Sequence, residues 1–159
     1  MTTQVAELAK ILASEKEATE GFVDILEKEA EVLSLGVNAS PEALADITQT
    51  KWLRANALNE LVTQRQAVLS TLDQQKVGAV VSMDAAAAAH PELQAAWNQI
   101  KTIFQRAREL NDSNGVMIDS LKRFTEDAMT TLRAASGQEE VYSSDGKTRV
   151  SKPRVLGAG

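Results

Sequence analysis

The chain has 159 residues, enough for one domain. With no Cys and a single His, disulfide frameworks, thiolate metal sites and a histidine-rich metal site are excluded. Aromatics make up only 4%, too sparse for a stacking platform on single-stranded nucleic acid, and a net charge of -5 argues against a duplex-binding footprint. No uncharged run approaches the ~20 apolar residues of a membrane span. The first ten residues, MTTQVAELAK, lack the basic start and apolar core of a signal peptide, so the expected location is cytoplasmic.

The first element is a helix over about 3–35. Val5, Leu8, Leu12, Thr19, Phe22, Leu26 and Leu33 fall at alternating steps of three and four, with Glu15 and Glu29 in the missing beats. A second stripe, Ile11, Ala18, Ile25 and Val32, broadens the apolar face. Gly36 and Asn38 are the stop.

Ser40-Pro41-Glu42 opens the second helix, over 41–73, with an N-cap, a first-turn proline and an early acid. Its stripe reads Leu44, Ile47, Lys51, Arg54, Leu58, Leu61, Arg65, Val68 and Leu72, flanked by Ala55, Val62 and Leu69. Three cations on a core stripe favour packed stems with heads reaching water over a specific anion or partner site. Trp52 lies one position off the stripe, at the expected edge of the interface.

Residues 73–90 form a connector. Gly78 interrupts the period, and the strand-like run AVVSM has no partner elsewhere. Asp84 is positioned to cap a short alanine helix ending at Ala89, and His90 precedes Pro91, which disfavours helix. His90 reads as a connector residue rather than a phosphotransfer site. Glu27 and Glu31 read as solvation of an outer face.

From Leu93 the stripe 93, 97, 100, 104, 107, 111, 114, 118, 121, 125, 128, 132 keeps its phase across Asn114-Gly115, a dipeptide that usually marks a turn. This predicts one helix over 91–135, with Gly115 a weak point costing ~1 kcal/mol relative to Ala. Asn111 and Asn114 occupy consecutive stripe positions. They bond to neighbouring helices or fix register or partner choice, and the pattern leaves both open. This helix exceeds the other two by roughly a dozen residues, ~18 Å. The excess carries Met117, Ile118, Leu121, Phe124, Met129 and Leu132, apolar surface suited to a docking helix. The tail from Ser136-Gly137 has no helical period and a composition that does not order itself.

The expected fold is all-α: an elongated bundle of three long helices with a partly helical connector, a helical domain at 1–135 and a flexible tail at 136–159. Paired Glu-x-x-His motifs and phosphate-cradling glycine loops do not occur, so no enzyme, metal or cofactor is implied.

Three groups of residues resemble the FlgN family of flagellar type III export chaperones. Lys51, Leu58, Leu61, Arg65 and Leu69 are similar to its K…L..L...R pattern. Asn111, Asn114, Gly115 and Ile118 are similar to its N..NG..I signature, and Val141-Tyr142-Ser143-Ser144-Asp145-Gly146 to its Y-x-x-x-G ending. The resemblance spans about 1–150, and the alanine-rich connector departs from it. It implies a non-enzymatic cytoplasmic chaperone that holds the C-terminal helical segments of hook–filament junction proteins (FlgK- and FlgL-like) and delivers them to the export gate (FlhA-like). Val141 and Tyr142 would dock at the gate. The alternative is a structural coiled-coil protein that self-associates through the same face, a homodimer being one such form, with the oligomeric state left open by the sequence.

Overall fold

A computed structural model describes residues 2–73, 82–137, 140–142 and 148–150. Among the described residues there are four α-helices: α1 (Thr3–Ser34), α2 (Pro41–Asp73), α3 (Met83–Ala89) and α4 (Pro91–Ala135). A short antiparallel ladder follows, β1 (Glu140–Tyr142) with β2 (Thr148–Val150). The described structure falls into two compact units, Met1–Met117 and Ile118–Gly159.

The helix ends follow from local chemistry. Thr2 caps α1 by accepting from the Val5 amide, and Gly36 takes φ +56° just past its end, a left-handed turn that glycine adopts without a Cβ clash. Ser40 caps α2, accepting from the Ala43 amide at 3.2 Å while donating to Glu42 Oε2 at 3.0 Å. The free backbone amide at Glu42 and the Ser40 hydroxyl hold that carboxyl below the usual glutamate value. The cap of α3 is Ser82, which accepts from the Ala85 amide, and not Asp84. Asp84 instead accepts from the Trp97 indole at 2.8 Å and from Lys101 at 3.0 Å. His90 ends α3 as a connector residue, its amide bonded to the Ala86 carbonyl. Gly78 and most of AVVSM lie outside the described residues.

In the first unit α2 packs antiparallel to α1, and α4 lies against both. The largest apolar cluster joins Val5, Leu8 and Leu12 of α1, Val68 and Leu69 of α2, Met83 and Ala86 of α3, and Leu93 and Ile100 of α4. A smaller cluster joins Val23 and Leu26 to Ala107, with Phe22, Ile103 and Leu110 packed on it. Each fully buried Leu or Ile here stabilises by ~1.5–3 kcal/mol. The expected stripes hold in α1, with Val23 buried and Phe22 only partly so; Ala55 of α2 and Asn111 of α4 are exposed, and the α4 stripe is not buried beyond Asn114. Trp52, expected at an interface edge, is 63% exposed.

Continuity of α4 through Gly115 agrees with the preserved phase, since nothing lies within 4 Å of where a Cβ would stand there. In the second unit α4 runs on to Ala135 and Gly137 follows with φ +70°. The tail departs from the expectation of no regular structure. Val141 and Tyr142 on one side and Thr148 and Val150 on the other are β-favouring types, and Asp145-Gly146, a turn-forming dipeptide, lies between them in sequence. Val141 pairs with Arg149 and Tyr142 with Thr148.

Candidate functional site

Two polar layers run through the first unit, and Lys51, Arg65 and Asn114 take part in them. In one, Glu15 of α1 is fully buried and accepts from Arg65 Nε at 2.9 Å and Nη2 at 3.2 Å. The Arg65 guanidinium carbon sits 4.9 Å from the Trp97 ring centroid, so α1, α2 and α4 meet at one cation. In the other, Lys51 donates to both oxygens of Glu29, at 2.9 and 3.3 Å. Asn114 Nδ2 donates to Glu29 Oε2 at 2.9 Å and to the Leu26 carbonyl at 2.8 Å. Again three helices share one charged group. The Asn114 Oδ1 is buried without a hydrogen-bond partner among the described residues.

These contacts correct the reading of the α2 cations as heads in water. Arg65 is 7% exposed, Lys51 is partly buried on Glu29, and Arg54 donates to the Gly21 carbonyl. The physical reason is that the two missing beats on α1 are carboxylates facing them. Charge left unpaired there would cost several kcal/mol, so the heads turn inward. Glu27 is likewise more than solvation, because it pairs with Arg106 of α4. Glu31 is exposed.

The pairing could have been found from spacing. Glu15 and Glu29 stand two heptads apart on α1, and Arg65 and Lys51 two heptads apart on α2, so one antiparallel register satisfies both. Sliding the helices by seven residues sets Glu15 and Glu29 against leucines in either direction: Leu58 and Leu44, or Leu72 and Leu58. Buried polar pairs of this kind fix register more than they add stability.

The two asparagines on the α4 stripe separate. Asn114 is a structural tie of the second layer, whereas Asn111 is exposed. Of the six residues expected to face a docking helix, Ile118, Phe124, Met129 and Leu132 are 41%, 58%, 47% and 63% exposed. Met117 and Leu121 are half-buried. Between Ile118 and Ala135 no residue of α4 is buried. Val141 and Tyr142 form part of β1, away from the helices in sequence.

Among the described residues, no cluster of three or more His, Cys, Asp or Glu could hold a metal ion, and no helix is long and apolar enough to cross a membrane. Three helices joined through shared ion pairs, and exposed apolar positions along the later part of α4, describe a predominantly helical protein. The family model for FlgN protein matches residues 1–149, and the chain belongs to the FlgN family. That family serves as chaperones for flagellar export, binding export substrates. No curated protein and no solved structure matches the chain.

Proposed function

We propose that this protein holds the C-terminal helical segments of hook–filament junction proteins (FlgK- and FlgL-like) in the cytoplasm, prevents their premature association and delivers them to an FlhA-like export gate. The observation that carries this reading is the uncovered apolar run on α4. Ile118, Leu121, Phe124, Met129 and Leu132 recur on helical spacing, and four of these five are more than 40% exposed. A client helix laid along them, with Met117 at one end, would bury apolar area at ~25 cal/mol per Å², part of it offset by ordering the client. Met side chains adapt to more than one client surface. Residues 1–135 serve as the chaperone domain and 136–159 as the gate-docking tail, in which Val141 and Tyr142 make the contact. Tyrosine suits that role because it joins an apolar ring to a polar tip.

Titration with peptides from the C-termini of junction proteins tests the client site. Leu121→Ser with Phe124→Ser should weaken binding about tenfold or more, the loss expected of central anchors. Helical content and melting should stay nearly intact. Unfolding by the double change would make these residues core and place the client site elsewhere. For the tail, Tyr142→Ala should weaken binding of the loaded chaperone to the gate domain while client affinity is unchanged. Equal gate affinity with and without the ring would rule out the anchor.

A further inference from the structure

We propose a second docking point, in the groove between α2 and α4: a pocket that takes one large apolar side chain of a partner helix bearing a carboxylate one turn away. The cavity is about 310 Å³ and lies wholly in the first unit. Phe22 of α1, Leu58 of α2 and Phe104 and Ala107 of α4 line its apolar part, with Ala55, Arg108 and Asn111 completing it. The space exists because two facing positions are small. Ala55 falls on the stripe that carries Val62 and Leu69, and Ala107 on the stripe that carries Leu93 and Ile100, so each stands where its heptad neighbours are large. A volume at the low end of small-molecule pockets, which span about 300–1,000 Å³, suits a single side chain better than an extended ligand.

Charge selects the occupant. Arg108 is exposed and forms no ion pair among the described residues, whereas Lys101 and Arg106 on the same helix are engaged by Asp84 and Glu27. Asn111 is exposed beside it, and its amide makes no hydrogen bond among the described residues. An exposed cation and an exposed amide beside an apolar pocket offer donors to a hydrophobic anchor with an adjacent acid. The flank supports a helical partner. From Thr48 to Ser70 every exposed residue of α2 except Glu60 is uncharged, because the cations of this helix face inward. A helix laid along it meets apolar, amide and hydroxyl groups and only one fixed charge, in line with the depletion of charge in interface cores. Trp52, one turn before Ala55 and 63% exposed, adds an aromatic anchor on that flank.

The test uses the full chain and two probes: 3-phenylpropionate, and an alanine-based helical peptide carrying one Phe with a Glu four residues away. Methyl NMR shifts at Ala55, Leu58 and Ala107 should saturate with both, and the peptide should bind about tenfold tighter. Ala55→Leu, with Ala55→Met as a second filling variant, should abolish binding without lowering the melting temperature, since Ala55 is exposed. Arg108→Gln should weaken both acids about three- to fivefold, the range of an exposed ion pair, and leave phenylpropanamide unchanged. Absence of saturable shifts, or shifts indifferent to the filling variants, overturns the proposal. Phenylpropionate binding with no gain from the helical peptide overturns the helical occupant. Sedimentation showing a dimer that Ala55→Leu dissolves would assign the groove to a second copy and also overturn it. Leu121→Ser with Phe124→Ser should leave these shifts unchanged, so failure here is separable from failure of the client face on α4.

Discussion

Arg65→Met should be among the most damaging single substitutions in the first unit. It leaves Glu15, fully buried, facing an apolar side chain where two guanidinium nitrogens stood at 2.9 and 3.2 Å. Breaking a buried pair from one side costs about 3–5 kcal/mol, because the remaining carboxylate keeps its desolvation penalty and loses its compensation. For a chain of this size that lowers the melting temperature by roughly 10 °C. The Trp97 face also loses its cation, a contact worth about 0.5–2 kcal/mol according to how dry it is. Adding Glu15→Leu should return most of the loss, since a paired apolar replacement removes both desolvation terms. The assay is urea denaturation of the wild type, both single variants and the double variant, read as a cycle. A loss below about 1 kcal/mol for Arg65→Met, or a double variant no better than the worse single, would refute the buried-pair account.

Other expectations follow from the same contacts. Asn114→Ala removes the amide donor shared by Glu29 and the Leu26 carbonyl and should cost about 1–3 kcal/mol by urea denaturation; a change under about 0.5 would show that the tie carries little. Gly115→Ala should stabilise by up to about 1 kcal/mol, because the site is open and already helical, and a lowered melting temperature would contradict that. The Trp97 indole, then Lys101, hold the Asp84 carboxyl below the usual aspartate value, so its contribution is full above about pH 4 and is lost as pH falls through the depressed pKa. Trp97→Phe should raise the Asp84 titration midpoint seen by carboxyl NMR, and more than Lys101→Gln does; an unmoved midpoint would remove the indole as the cause.

Helix existence and extent were legible because hydrophobic periodicity and caps act locally. Ser40-Pro41 and Gly36 mark their ends in any tertiary setting, and an unbroken phase over Gly115 outweighs the turn propensity of Asn-Gly. What stayed hidden required pairing between helices. Lys51 and Arg65 on a core stripe look alike whether their heads reach water or a carboxylate, and only register decides. The cap of α3 was misplaced because Ser82 and Asp84 are both good capping types two residues apart, and the Trp97 indole, distant in sequence, takes Asp84. The β1–β2 ladder was missed because its strands are three residues each, too short for alternation to register.

The polar layers also bear on how burial is divided along α4. Asn114 is the last residue of that helix to be buried, and its amide reaches a carboxylate already shared by α1 and α2. Up to that point α4 contributes to a core whose register is fixed by charge. Beyond it, Ile118, Phe124, Met129 and Leu132 contribute nothing to a buried core, so their replacement should leave stability nearly untouched. Asn114, Gly115 and Ile118 thus differ in physical role along one stretch of helix: the tie, an open helical position that crowds nothing, and an exposed apolar residue.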